Sequence, residues 1–368
     1  MSHRDILRAL VTFHRLGQHG FGVCSEIRAF RQTALEGLGM TLPDVYKLID
    51  RDSGEELDFG QTVRNTFPLA DFFLRVDTVA DKKIKEKLRR FLSLAFDTEI
   101  ITPSSAETAM YFAASAAGNS ACLSRQIGAA LTDKDGEIIA VGWNDVPCCG
   151  GGLYREDSSP DERCLNRGEG ACANDHEKEL LINDIARELI DAKIVSPENK
   201  DTAAAVLRQS KIKDLIEFSR AAHAEMHALI LGSQLGGNRV KGGKLFCTTY
   251  PCHACATHII LAGVKEVYYI EPYRKSRATK LHDDAITENE SDITRVRILL
   301  FDGVAPARYL ELFRMKLDSR KEKGEGKRRV ANKKEALPKS EVSLESLPAL
   351  EALVVHRLVT VNAIEANR

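Results

Sequence analysis

The chain has 368 residues, 43% hydrophobic and 29% charged, which suits two or three soluble domains with real cores. Lys plus Arg (52) and Asp plus Glu (53) leave a formal charge of −1, which excludes nucleic-acid binding by bulk charge. No run approaches the roughly 18–20 apolar residues of a membrane span, and the start, MSHRDILRALVTFHRLGQHG, has no apolar h-region, so a cytoplasmic protein with no membrane partner is expected.

The first hundred residues read as helical and charged. Ser53–Gln61 reads as a loop, and Ile84–Phe96 as a helix with Ile84, Leu88, Phe91, Leu92 and Ala95 on one face. Thr102-Pro103-Ser104-Ser105 followed by Glu107 signals a helix start, and the small, apolar 106–117 stretch predicts a closely packed helix. Ile127–Leu131 and Glu137–Asn144, joined by the turn Asp133–Gly136, predict a hairpin. A Gly-, Asp- and Cys-rich loop follows over 145–174. Helical patterns then resume from Glu177, with a polar break at Ser196–Asp201.

Ala221–Leu231 is helical in composition. Strand Lys244–Tyr250, helix Cys252–Gly263 and strand Glu266–Tyr273 make a βαβ unit, hence parallel strands in an α/β sheet. Val296–Phe301 is a further strand and Pro306–Met315 a helix. Residues 319–340 are highly charged and read as a flexible linker, either a solvated tether or a contact for RNA or an acidic partner. Residues 341–368 return to an amphipathic pattern through Leu347, Leu350, Leu353, Val354 and Leu358. The expected organisation is a helical region over 1–100, a catalytic domain over 101–318, the linker, and the short terminal segment.

Nine cysteines, several clustered, point to metal rather than to disulfides in a reducing compartment. The strongest pattern is His223-Ala224-Glu225 followed by Pro251-Cys252-His253-Ala254-Cys255. One imidazole and two thiolates supply three zinc ligands and leave the fourth tetrahedral position open to water, the layout of a catalytic site. Zinc lowers the pKa of such a water to roughly 7. Glu225, two residues from the His and near a helix N-terminus, is placed to shuttle its proton. Cys252 and Cys255 fall on one turn at a helix start, where the helix dipole favours thiolates. H-x-E followed by P-C-x-x-C is the signature of the zinc nucleobase deaminases. The alternative, a structural knuckle completed by His253 or His258, leaves Glu225 without a purpose.

Around these residues the chain resembles deoxycytidylate deaminases, and in particular the deaminase domain of bacterial anti-phage deoxycytidine-nucleotide deaminases. The blocks that carry the resemblance are GNSACLSRQIGAALTDKDGEIIAVGWNDVP, HAEMHALI, FCTTYPCHACATHIILAGV, YYIEPYRKSRATKLHDDAI and GVAPARYLELF, spread over about 70–315. The resemblance implies a cytidine-deaminase-like mixed β-sheet sandwiched by helices, with a helical N-terminal extension and a flexible charged C-terminal tail. It implies zinc on His223, Cys252 and Cys255, and proton transfer by Glu225 during conversion of dCTP, dCMP or both to the uracil form. It implies that the Ala224 backbone faces the base edge and that Asn144 contacts the sugar; an Asn closing a strand-end turn is the alternative for Asn144. It also implies a homo-oligomer and a role in depleting dCTP. From the residues themselves, Arg125, Arg274 and Lys275 are candidates for phosphate, and Tyr273 for stacking.

Two departures stand out. Relatives carry an N-terminal P-loop kinase-like domain, whereas this chain has no GxxxxGK[ST]; its nearest stretch, GQHGFG at 17–22, lacks the Lys, although RNTFPLADFFLRVD resembles the tail of that domain. The chain therefore reads as a relative shortened at its N-terminus. The segment after VPCCGGGLY adds cysteines, and the resemblance raises a second, structural zinc drawn from Cys122, Cys149, Cys172 and His176, against a reading of these as small buried thiols. Deamination of tRNA adenosine or of a free nucleoside, and nucleotide sensing without turnover, are the competing functions. A regulatory RNA or protein partner is a further open expectation.

Overall fold

A computed structural model describes residues 70–75, 81–273 and 276–315, with short stretches between 321 and 339. Ser53–Gln61, the GQHGFG stretch, the terminal segment 341–368, most of the 319–340 linker, Arg274 and Lys275 lie outside the described residues.

In chain order the elements are β1 (Phe72–Phe73), α1 (Asp81–Ala95), α2 (Ser105–Ala117), β2 (Gly128–Thr132), β3 (Ile138–Trp143), α3 (Ala173–Asp191), α4 (Lys200–Gln209) and α5 (Ala224–Gly236). There follow β4 (Lys244–Thr249), α6 (His253–Leu261), β5 (Glu266–Glu271), α7 (Ala278–Leu281), β6 (Ile286–Thr287), β7 (Val296–Leu300), β8 (Gly303–Val304) and α8 (Tyr309–Phe313). They divide into two compact units, one over Thr108–Phe301 and one drawn from the segments on either side of it.

The larger unit is built on a six-stranded sheet of order β3-β2-β4-β5-β7-β6. The hairpin pairs antiparallel as its turn predicts: Asp133 Oδ1 accepts the N–H groups of Asp135 and Glu137, and Gly136 takes the positive φ of 93° that closes it. β2 is antiparallel to β4, while β4, β5, β7 and β6 run parallel to their neighbours. The strands of this parallel half are apolar runs because helices cover them; Leu245, Cys247, Val267 and Ile298 are buried in one core with Ala228, Ala256 and Ile259 of α5 and α6. This mixed sheet flanked by helices is the architecture expected from the sequence.

Two glycines set how closely the helices lie on the sheet. A Cβ on Gly142 of β3 would stand 2.5 Å from the Ala228 nitrogen, and one on Gly128 of β2 would stand 1.9 Å from the Ala113 carbonyl oxygen. The backbones of α5 and α2 therefore rest directly on the strands, which only a residue without a side chain allows.

The smaller unit pairs β1 with β8 antiparallel and buries Phe72, Leu74, Ile84, Phe91, Leu94, Val304 and Leu312. In α1 the buried stripe takes Leu94 in place of Leu92, which is 48% exposed; positions 84, 88, 91 and 95 hold as expected, and the helix twist carries 92 round to solvent. The helix-start signal is realised as a capping box, with Ser104 Oγ accepting from the Glu107 N–H at 3.2 Å and Glu107 Oε2 accepting from the Ser104 N–H at 2.8 Å. Arg90 grips the same carboxylate with two bonds of 2.8 Å, and the Val304 N–H adds a third direction at 3.0 Å. Of the charged stretch read as a linker, Ala331 and Lys339 donate their N–H groups to the Asp97 and Ala95 carbonyls.

Candidate active site

His223 is the N-cap of α5 and Cys252 the N-cap of α6, so the three candidate ligands come from two adjacent helix starts. β4 delivers Thr249-Tyr250-Pro251 at its carboxyl end to the start of α6, and Ser276 Oγ donates to the Pro251 carbonyl at 2.8 Å to hold that loop. Cys252 Sγ also accepts the Cys255 N–H at 3.4 Å, the bond that closes the first turn.

Here His223 Nδ1 lies 3.3 Å from Cys252 Sγ and 3.2 Å from Cys255 Sγ, and the three donor atoms all fall within 4.8 Å of one another. Tetrahedral zinc, with Zn–S of about 2.3 Å and Zn–N of about 2.0–2.1 Å, spaces such donors about 3.6 Å apart. The side chains need spread by only a few tenths of an ångström, so the donor set fits zinc in number, kind and spacing. Among the described residues no fourth His, Cys, Asp or Glu joins the group. His258 is exposed with Nδ1 2.8 Å from the Ala254 carbonyl, and His253 faces Glu217 at 3.9 Å, so the fourth position is open.

Without metal, only Cys252 is favoured in its ligand form. The Cys252 thiol is held down to about 4, first by the Cys255 S–H bond, which outweighs burial, and then by His223. The His223 imidazole is pushed up to about 9 by its bond to Cys252, against its own burial, and Glu225 adds to the shift. Cys255 is pushed well above its ordinary value because it donates to Cys252 and is buried. Zinc binding therefore displaces protons from this group.

Glu225 is buried in the first turn of α5, and burial raises its pKa despite the nearby His223 charge. On the next turn, His227 Nδ1 accepts the Trp143 N–H at 3.2 Å, tying α5 to β3. Burial lowers the His227 pKa and keeps it a neutral acceptor.

A cavity of about 150 Å³ opens over Glu225, lined among others by Arg125, Asn144, His223, Tyr250, Cys252 and Tyr273. Its wall also contains Ser124, Asn174, Ile216 and Ser219. The structure thus gathers Glu225, His223, Cys252, Asn144, Arg125 and Tyr273 around one space, with Cys255 directly behind. Asn144 is spent mainly on the fold: Oδ1 accepts the Ile127 N–H at 2.7 Å and Nδ2 donates to the Arg125 carbonyl at 2.8 Å, which leaves one Nδ2 hydrogen. Ala224 is fully buried against Gly142 and is not part of the lining. Lys275 lies outside the described residues.

The residues named for a second zinc are not brought into a group of that closeness. Cys122 lines the cavity, Cys172 Sγ faces Ser124 Oγ at 3.7 Å, and Cys149 and His176 are exposed. Thr249 and Tyr250 line the cavity unanticipated, yet their place at the carboxyl end of a parallel strand is where such sheets bind ligands. Asn174, Ile216 and Ser219 carry no motif that marks them.

Residues 103–271 match the family described as the cytidine and deoxycytidylate deaminase zinc-binding region. The deoxycytidylate deaminase of Enterobacteria phage T4 is 25% identical over 173 residues, 47% of this chain and 80% of that protein. ComE operon protein 2 of Bacillus subtilis (strain 168) is 43% identical over 56 residues, 15% of this chain and 29% of that one. Among solved structures, the dCMP deaminase of cyanophage S-TIM5 in complex with dCMP and dUMP aligns at a TM-score of 0.32 and 21% identity, over 55% of this chain and 99% of that one. The matched region frames both the zinc-ligand cluster and Glu225, so residues 103–271 carry a cytidine and deoxycytidylate deaminase zinc-binding region, and the likeness supports a hydrolytic deaminase.

Proposed function

We propose that this protein deaminates deoxycytidine nucleotides hydrolytically, taking dCMP, dCTP or both to the deoxyuridine form with release of ammonia. The observation that carries the reading is the pairing of an open three-donor zinc set with the buried Glu225 carboxyl beside one cavity.

His223, Cys252 and Cys255 would hold zinc, which when bound supplies the Lewis acidity that makes water nucleophilic at neutral pH. Glu225 does the proton work: it protonates cytosine N3, takes the proton of the attacking water, and delivers a proton to the departing N4 amine. Its raised pKa suits an acid and base that must hand a proton over in both directions. Arg125, whose guanidinium lies 3.9 Å from Glu271 and so is loosely held, is positioned for a phosphate, and Tyr273 for contact with the nucleoside.

The biological role proposed, resting on the resemblance of the HAEMHALI and PCHAC blocks to anti-phage deaminases, is depletion of dCTP to starve phage replication. A cytoplasmic homo-oligomer belongs to the same reading; among the described residues no helix is long and apolar enough to cross a membrane. The test is ammonia release and formation of dUMP or dUTP by zinc-loaded protein, with free nucleosides and a tRNA adenosine substrate in the same panel. Glu225→Ala is expected to lose about three decades or more of turnover with zinc content unchanged. Binding of a cytosine nucleotide without turnover by the wild type would overturn the reading in favour of a sensor.

A further inference from the structure

Beside its buried stripe, α1 carries a second run of apolar residues. Leu88, Leu92 and Phe96 recur every four residues and line a groove of about 500 Å³, whose walls also carry the exposed Lys85, Arg89 and Lys333. Leu92, midway along this run, is 48% exposed. The charged stretch beyond residue 320 runs back to the same place. Ala331 donates its N–H to the Asp97 carbonyl at 2.9 Å, and Lys339 donates its own to the Ala95 carbonyl at 2.7 Å. The Lys339 ammonium, largely buried, reaches the Leu312 carbonyl at 2.9 Å and Asp97 at 3.0 Å. Ala336, between these two anchors, is part of the groove wall. Groove and anchors belong to the smaller unit.

The sequence that follows the second anchor matches the groove in charge and in pattern. From Glu341 to His356 it holds three acidic residues, Glu341, Glu345 and Glu351, and neither Lys nor Arg. Pro348 suits a first helical turn, and Leu347, Leu350, Val354 and Leu358 follow at helical spacing. Such a helix is apolar where the groove is apolar and acidic where its walls are basic. Reach is sufficient: the seven residues from Ser340 to Ser346 span up to about 25 Å, whereas Ala95 to Lys85 is about 15 Å along α1. We propose that segment 347–358 docks as a helix in the α1 groove of its own chain, its apolar stripe against Leu88, Leu92 and Phe96. The anchors at Ala331 and Lys339 favour this occupant over a free partner, because a short tether holds the segment at high local concentration.

The test is amide hydrogen exchange of the zinc-loaded full chain, wild type beside Leu92→Asp, Leu350→Asp and a control, Ile293→Asp, at a residue 74% exposed in the larger unit. In wild type the amides of 347–358 are expected to exchange about tenfold or more slowly than unstructured chain. Leu92→Asp and Leu350→Asp should each remove that protection, and Ile293→Asp should keep it. Unprotected amides in wild type overturn the proposal. So does protection that survives Leu92→Asp, which would put the helix elsewhere. Protection that fades on dilution assigns the groove to a second copy and overturns docking within one chain. Where Leu92→Asp opens α1 itself, seen as lost protection over 84–95, a reporter decides instead. Phe96→Trp puts an indole in the groove, and adding Leu350→Asp is expected to shift its emission to longer wavelength and to raise its quenching by acrylamide. An unchanged spectrum overturns the proposal.

Discussion

The floor and the wall of the cavity are made by different means. The floor is two helix starts laid on the sheet, its carboxylate and thiols buried and its backbone in contact with β3 through Gly142. The wall over 145–222 contains α3 and α4 but also long irregular stretches, and much of its surface is half-buried or exposed. Reaction chemistry needs donors fixed to within a fraction of an ångström, which packed helices on a sheet provide. Substrate choice needs only a few polar and apolar contacts at the right places, which loops supply and can change without disturbing the core. Substitutions in the floor should accordingly damage stability and turnover, and substitutions in the wall should act through KM.

The largest break is expected at Gly142. Gly142→Ala drives a methyl group into the backbone of α5, and neither partner is a flexible side chain that can yield. A loss of about 3 kcal/mol of stability is expected, with lowered turnover in whatever protein still folds, measurable by denaturant unfolding and by kcat at saturating substrate.

Glu107→Gln should cost less, about 2 kcal/mol at neutral pH, because Arg90 is partly solvated while the carboxylate is buried. Burial tends to raise the pKa of Glu107, but Arg90 and the N–H groups of Ser104 and Val304 outweigh it and hold the folded value below the ordinary 4.5. A lowered folded pKa means the stabilisation is complete above the unfolded value and is lost as pH falls through the folded one. The difference in stability between wild type and Glu107→Gln is therefore expected to be constant near neutrality and to shrink below about pH 4.5. A gap that instead widened toward acid would contradict the ionised pair.

Ile216→Ala in the wall is expected to be mildest, about 1 kcal/mol or less of stability for a half-buried side chain, with KM raised several-fold and kcat nearly kept. An unchanged KM with reduced kcat would erase the distinction between wall and floor.

The same division explains what could be read in the sequence. His223, Glu225, Cys252 and Cys255 were legible because the geometry that unites them is local: one turn of helix sets the Cys pair, and two residues separate the His from the Glu. The hairpin and the βαβ unit were legible because their turns and apolar runs lie within about 30 residues. Asn174, Ile216 and Ser219 were not, since nothing near them marks a pocket; they reach it by long-range folding of the insert. Asn144 was found for a reason the structure recasts, as its amide mainly joins Ile127 and Arg125 to the strand end. The exchange of Leu92 for Leu94 in α1 shows the limit of a face drawn on an ideal wheel when several neighbouring residues are apolar.

The close seat of α5 on β3 also governs how the protein should behave on heating. With the Ala228 backbone resting on Gly142, Glu225 has no slack of its own; it is carried by the sheet and is released only when the sheet melts. The wall has no such anchor and loosens earlier. Warming toward the unfolding transition should therefore weaken the grip on substrate before it touches the rate of the bound complex, so that activity first lost to heat is regained by adding more nucleotide.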